Sequence, residues 1–222
     1  MQRVLLSVFL LASCGWAGAP IRVVTIGDSH ATVEAGFAQA LADEWGRPVL
    51  HENRGVVGAS IHQLLDDLEG RSQQYHLAAL SSWEPNVVFL AFGTNEAKNW
   101  SEARAGAYLA EWNRVLDRVP AIFPNASVIV LGPPDAAALP GLASVRRLEA
   151  AAALQHGMGW LDRIALMGGE HSISVWMTAQ GGRYAARDGV HLSKAGYCEL
   201  AQRVARAVAR SRICRGRSWA PE

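Results

Sequence analysis

The sequence has almost no charge of one sign to spare. Its 21 Lys and Arg stand against 20 Asp and Glu, a formal net charge of +1. That balance excludes the strong electrostatic pull of a nucleic-acid binder or a polybasic membrane-surface protein. Cysteine is scarce, three in 222 residues, and with no C-x-x-C pair and no Cys/His cluster the spacing offers no metal site. The N-terminal apolar run, residues 4–12, is too short to span a bilayer as a helix. Internal repeats, low-complexity tracts and long linkers are also lacking, which excludes solenoids and tandem arrays. What is present is a half-apolar composition, enough for one well-cored domain. The one basic cluster (Arg203, Arg206, Arg210, Arg212, Arg215, Arg217) reads as a solvated helix face and a tail.

Residues 1–19 read as a targeting segment. Arg3 precedes the apolar run, and Leu11-Ala12-Ser13-Cys14 is similar to the lipobox of bacterial lipoproteins, in which the cysteine carries the lipid. The rival is cleavage after Ala17-Gly18-Ala19, an A-x-A pattern, with Pro20 just beyond it counting against that site. Both readings export the protein, to the periplasm or to a membrane-anchored place there through Cys14. In an oxidising compartment Cys198 and Cys214 either pair or remain thiols. One unbroken helix would hold them about 24 Å apart, at ~1.5 Å per residue, so a bridge needs the chain to turn back after about Arg210. The domain is expected over 20–213, with 214–222 a tail.

Apolar β-branched runs then alternate with helical patterns. Strands are expected at Ile21–Ile26, Pro48–Glu52, Val87–Phe92, Ser127–Leu131 and near Trp160–Leu161; helices at Glu34–Trp45, Ile61–Leu68, Glu102–Val119, Val145–His156 and Lys194–Ala209. This alternation predicts an α/β fold, a three-layer α/β/α sandwich around a mainly parallel five-stranded sheet. Met167–Arg187 is the longest segment with no regular pattern. Ligands of such sheets bind beyond the carboxyl ends of the strands. Ser29 follows the first strand, 55–58 the second and 93–96 the third, so three loops can meet at one edge, with Asp188 and His191 able to fold over it.

The residues there can do acyl chemistry. Ser29, in Gly27-Asp28-Ser29-His30, stands at a strand-to-helix turn. Serine is a weak nucleophile and needs a positioned base, usually a histidine oriented by a carboxylate. Asp188-Gly189-Val190-His191 places a carboxylate three residues before an imidazole. Gly58 and Asn95 supply donors suited to a developing oxyanion.

Four ordered segments, 27–30, 53–60 (Asn-Arg-Gly-Val-Val-Gly-Ala-Ser), 93–96 (Gly-Thr-Asn-Glu) and 188–191, resemble the blocks of the SGNH (GDSL-type) hydrolases. The resemblance implies that family's flavodoxin-like fold, with Ser29 as nucleophile, His191 as general base and Asp188 orienting it. It assigns the oxyanion hole to the N–H groups of Ser29 and Gly58 and the side chain of Asn95. It implies no metal or organic cofactor. The G-x-S-x-G elbow of larger α/β-hydrolases is absent, since Ala31 follows His30. Gly-Asp-Ser-His, Gly-Thr-Asn-Glu-Ala and the tail from Met167-Gly168-Gly169 through Trp176 to Gly196-Tyr197 look most like the O-acetylpeptidoglycan esterase branch. Members of that branch often carry an inserted carbohydrate-binding module; none is visible between the first two blocks.

The resemblance thus implies an exported esterase releasing acetate from an acetylated glycan or another small acyl ester. A lysophospholipase or thioesterase is the alternative, an O-acetyltransferase a variant, and the oligomeric state is open. His30 either contacts substrate or supports the nucleophile. Trp100 and Trp176 are the tryptophans most expected to line the site. Asp28 reads as a turn residue, Asp135 as the end of a strand at the site edge, and the other histidines as surface or satisfied core residues.

Overall fold

The structure, a computed structural model, describes residues 19–32, 36–137, 139–178 and 184–211. The targeting segment with Cys14, and the tail with Cys214, lie outside the described residues. The elements run β1 (Ile21–Gly27), α1 (Ser29–Thr32), α2 (Phe37–Trp45), β2 (Val49–Gly55), α3 (Ile61–Leu68), α4 (Leu77–Ser82), β3 (Val87–Ala91), α5 (Thr94–Lys98), α6 (Ala105–Ile122), β4 (Ser127–Leu131), α7 (Leu142–Gln155), β5 (Gly159–Leu161), α8 (Arg163–Met167), α9 (Ser172–Thr178) and α10 (Lys194–Arg210).

The five strands form one sheet in the order β2-β1-β3-β4-β5, every pairing parallel. Strands β1, β3 and β4 are apolar along nearly their whole length because both faces are covered. Alternate side chains split between two cores. Val24, Ile26, Val88, Leu90, Val128 and Val130 pack with Leu64, Leu65, Trp112, Val115 and Leu148 of α3, α6 and α7. Val23, Val87, Phe89, Ile129 and Leu131 pack with Leu41, Trp45, Leu200 and Val204 of α2 and α10. The result is the three-layer α/β/α sandwich with helices on both faces.

The chain leaves β1 to β2 on one side and reaches β3 on the other, so the strand order reverses at β1/β3. Loops on either side of such a switch point diverge and open a crevice at the carboxyl edge. Ser29 follows β1 and Asn95 follows β3.

Five short helices were not expected from the sequence. α1, α4, α5 and α8 have at most six residues, too few to display an amphipathic period. α9 (Ser172–Thr178) lies inside the segment expected to be irregular. It is anchored at its start by Asp135, whose Oδ2 accepts from the Ile173 N–H at 2.8 Å and from the Ser172 hydroxyl at 3.3 Å. Asp135 is buried and serves this helix.

Candidate active site

Glycine at 27 is dictated by crowding. A Cβ there would stand 2.3 Å from the Ala91 carbonyl oxygen and 2.9 Å from the Ala31 Cβ. The chain can therefore turn directly from β1 into α1, bringing Ser29 to the edge of the sheet. Asp28 fixes the turn: its N–H donates to Ala91 O at 3.0 Å, and its Oδ1 accepts from the His30 N–H at 2.9 Å.

The Ser29 Oγ lies 2.9 Å from His191 Nε2. His191 Nδ1 lies 2.7 Å from Asp188 Oδ2, while Asp188 Oδ1 accepts from the backbone N–H of Val190 and of His191, each at 2.9 Å. Desolvation pushes the Asp188 carboxyl up, but the hydrogen bonds from the His191 ring and the two backbone N–H groups outweigh it and hold it at about 2. An ionised carboxylate only accepts, so Nδ1 carries the proton. Nε2 of the neutral ring is then left as an acceptor aimed at the Ser29 hydroxyl. The loop carrying the pair is closed by Ala186 N–H donating to His191 O at 2.8 Å and by an antiparallel bridge between Ala185 and Leu192.

The candidate oxyanion donors come from the two neighbouring loops. Gly58 sits at φ 77° in the turn before α3. Asn95, in α5, donates from Nδ2 to Ala59 O at 2.8 Å, and the next residue, Glu96, accepts from the Ile61 N–H at 2.7 Å. The loop after β3 thus holds the loop after β2 by two bonds. Asn53 ties β2 to the nucleophile's turn: its Oδ1 accepts from the Gly55 N–H at 2.8 Å, and its amide donates to Ala31 O.

Behind Ser29 lies a buried ionisable cluster that the sequence did not reveal. Asp28, Glu96, Glu149 and Arg163 are all buried. Burial pushes the Asp28 carboxyl up, opposed by the Arg163 guanidinium and by hydrogen bonds from His30 and Thr94. Burial likewise raises Glu96 to about 7 against the hydrogen bond from Ile61. Glu149, which accepts from the Tyr108 hydroxyl at 2.6 Å, is pushed well up by desolvation. Four groups drawn from the β1–α1 turn, α5, α7 and α8 cannot be joined by a local motif.

Of the three expected substrate contacts, His30 and Trp176 are buried against the protein's own groups. His30 is buried; its Nδ1 shares a 3.0 Å hydrogen bond with the Tyr197 hydroxyl, and its ring stacks under His191. It supports the site from below. Trp176 is only 5% exposed, its N–H donates to Met167 O at 3.0 Å, and Arg203 of α10 covers its ring. Formation of α9 turned this indole inward. Trp100, half-buried, donates to Glu102 Oε1 at 2.8 Å and packs edge-on against Tyr108. Among the described residues, no group of three or more His, Cys, Asp or Glu is placed to hold a metal ion, and no helix is long and apolar enough to cross a membrane.

A parallel sheet with this order, carrying Ser29, His191 and Asp188 in one hydrogen-bonded line at its carboxyl edge, is the framework of an acyl-transferring serine hydrolase. The sequence profile of the GDSL-like lipase/acylhydrolase family matches residues 16–198, and the chain belongs to that family. Among solved structures it is similar to a peptidoglycan O-acetylesterase, with a TM-score of 0.64, 22% identity and coverage of 72% of this chain and 46% of that one. It spans less than half of that protein. It is also similar to a lipase/acylhydrolase from Enterococcus faecalis, with a TM-score of 0.60, 17% identity and coverage of 85% and 95%. An α/β hydrolase from the metagenome of Lake Arreo, Spain, gives a TM-score of 0.60, 16% identity and coverage of 87% and 98%. No curated protein matches the sequence.

Proposed function

We propose that this chain is a serine esterase that releases acetate from an O-acetylated glycan, cell-wall peptidoglycan foremost, through an acetyl-enzyme. The observation that carries the chemistry is the 2.9 Å approach of Ser29 Oγ to His191 Nε2, with Nδ1 of the same ring on Asp188. Ser29 Oγ bonds to the ester carbonyl carbon while its proton passes to Nε2. The oxyanion is met by the N–H groups of Ser29 and Gly58 and the Asn95 amide. The carbonyl–alcohol bond then breaks and the sugar oxygen leaves with the proton from Nε2. Water attacks the acetyl-enzyme, gives its proton to Nε2, and acetate departs as Ser29 regains its hydrogen.

Two things support a glycan. One is the likeness of the motif blocks, and of the fold, to peptidoglycan O-acetylesterases. The other is the openness of the site: the His191 and Asp188 side chains are 39% and 51% exposed, so a polymer can reach them without threading a tunnel. Such a substrate puts the enzyme outside the cytoplasm, with residues 1–19 as its targeting segment and Cys14 within that segment as its lipid anchor. Mass spectrometry of the mature N-terminus tests the anchor: an acylated Cys14 supports it, and a free N-terminus at Pro20 overturns it.

The decisive experiment measures acetate released from O-acetylated peptidoglycan by the chain from Gly15 onward and by its Ser29→Ala variant. Release by the first alone is the expected result. A steep preference for long acyl chains over acetyl would overturn the substrate reading in favour of a lysophospholipase or thioesterase.

A further inference from the structure

A cavity of about 570 Å³ is lined in part by Asp135, Ala136 and Ala137, which follow β4, and the reaction proposed at Ser29 makes no use of it. Its volume falls in the ~300–1,000 Å³ range of small-molecule sites. It opens between the segment that follows β4, the first turn of α7 and the start of α9. The wall reaches the catalytic loop directly. Ala137 N–H donates to Gly189 O at 2.7 Å, and a Cβ on Gly189 would stand 3.2 Å from the Ala137 methyl. Gly189 lies between Asp188 and His191, so the cavity is one loop away from the reacting atoms and on the same edge of the sheet.

Its chemistry is two-sided. Leu142, Ile164 and Ile173 give an apolar floor, while Arg146, Glu170 and His171 stand among its lining residues. Arg146 is held by Asp162, Nε to Oδ2 at 3.0 Å, and reaches Glu170 only at 3.5 Å. Glu170 is 71% exposed, so its carboxylate keeps accepting capacity. A fatty acyl chain would strip water from this ion pair and return no hydrogen bond, which is costly. A sugar ring offers apolar C–H faces for the floor and a belt of hydroxyls for carboxylate, guanidinium and imidazole.

We infer that this cavity is a glycan subsite that binds a sugar unit neighbouring the esterified one. The inference rests on the reading of Ser29 as the nucleophile of a glycan esterase. It makes the cavity the source of preference for polymer over free acetyl ester, since binding energy from a remote part of the substrate can be used at the reacting centre.

Two variants test it. Ala143→Trp fills the mouth from an exposed position on α7, and Glu170→Ala removes an exposed acceptor. Each is assayed on O-acetylated peptidoglycan and on p-nitrophenyl acetate. The expected result is a KM for the glycan raised about tenfold or more relative to any change in KM for the small ester, about 1.4 kcal/mol of lost binding. Equal effects on both substrates, or none on either, overturn the subsite. So does a loss confined to long-chain acyl esters. Binding is read separately from chemistry by titrating a de-O-acetylated peptidoglycan disaccharide into the Ser29→Ala protein with and without Ala143→Trp. Binding abolished by Ala143→Trp supports the subsite even if the wild type releases no acetate, an outcome that overturns the esterase reading alone. No binding to Ser29→Ala overturns the subsite.

Discussion

The imidazole of His30 lies under that of His191, the ring centroids 5.0 Å apart and the planes 25° from parallel. His30 cannot move aside, because it is buried and its Nδ1 is bonded to the Tyr197 hydroxyl of α10. Burial, then the Arg163 guanidinium and His191, push its pKa well down, so it is a neutral platform that adds no charge when His191 takes a proton. Replacing the platform lets the base tilt. His30→Ala should lower kcat on a small acetyl ester by ~10–100-fold, as misplacement on the ångström scale does. Tyr197→Phe, which removes only the hydroxyl, should cost less. Steady-state kinetics decide the matter: wild-type kcat in His30→Ala would show that the stacking holds nothing in place.

The line Ser29–His191–Asp188 predicts unequal losses. Ser29→Ala should lose at least ~10³-fold in kcat, since the acyl acceptor is gone. Asp188→Asn should fall by ~10²–10⁴-fold, because an amide can present a donor to Nδ1 and so select the wrong tautomer. That variant should remain folded, as half of the Asp188 side chain is in solvent. Circular dichroism alongside initial rates checks both halves, and an Asp188→Asn protein with wild-type rates would remove Asp188 from the mechanism.

Strands β1, β3 and β4 were legible because each is a run rich in β-branched residues bounded by turn residues, and the run Val87–Phe92 marks a central strand by having no polar face. The motif blocks were legible because each is local in sequence. What escaped was long-range pairing. Nothing near Glu149 announces that it will meet Tyr108 across 41 residues, or that Glu96 will hold the Ile61 N–H across 35. Trp176 was misjudged for a related reason. In a segment without visible period an indole looks available to substrate, yet α9 and Arg203 of α10 together bury it. His30 shows the same limit: its neighbour in sequence is the nucleophile, but its partners are Tyr197 and His191 from the other end of the chain.

Gly27→Ala should be among the most damaging single-methyl changes in the domain. The added Cβ would meet backbone, the Ala91 carbonyl oxygen at 2.3 Å, and that same oxygen accepts from the Asp28 N–H. Relief requires β1 and β3 to part at the point where Ser29 and Asn95 are set. A loss of ~3 kcal/mol or more is expected, read as a lower urea midpoint, together with loss of esterase activity in whatever fraction still folds. An unchanged midpoint would mean that the turn has slack.

Glu96 ties stability to pH with a definite sign. Its ordinary pKa of 4.5 rises in the folded protein to about 7, through desolvation that the Ile61 hydrogen bond only partly offsets. Between those values the folded chain keeps a proton that the unfolded chain releases. The contribution of Glu96 to stability therefore falls as pH rises from 4.5 and reaches its lowest level above pH 7. Glu96→Gln leaves a carbonyl oxygen for the Ile61 N–H and removes the ionisation. It should gain on the wild type by up to ~3 kcal/mol at pH 8 and differ far less at pH 4.5. Urea unfolding of the two proteins at these two pH values gives the difference. A gap that does not widen with pH would mean that Glu96 is ionised with a partner at both, and that the carboxylate in the bond to Ile61 N–H is an anion throughout.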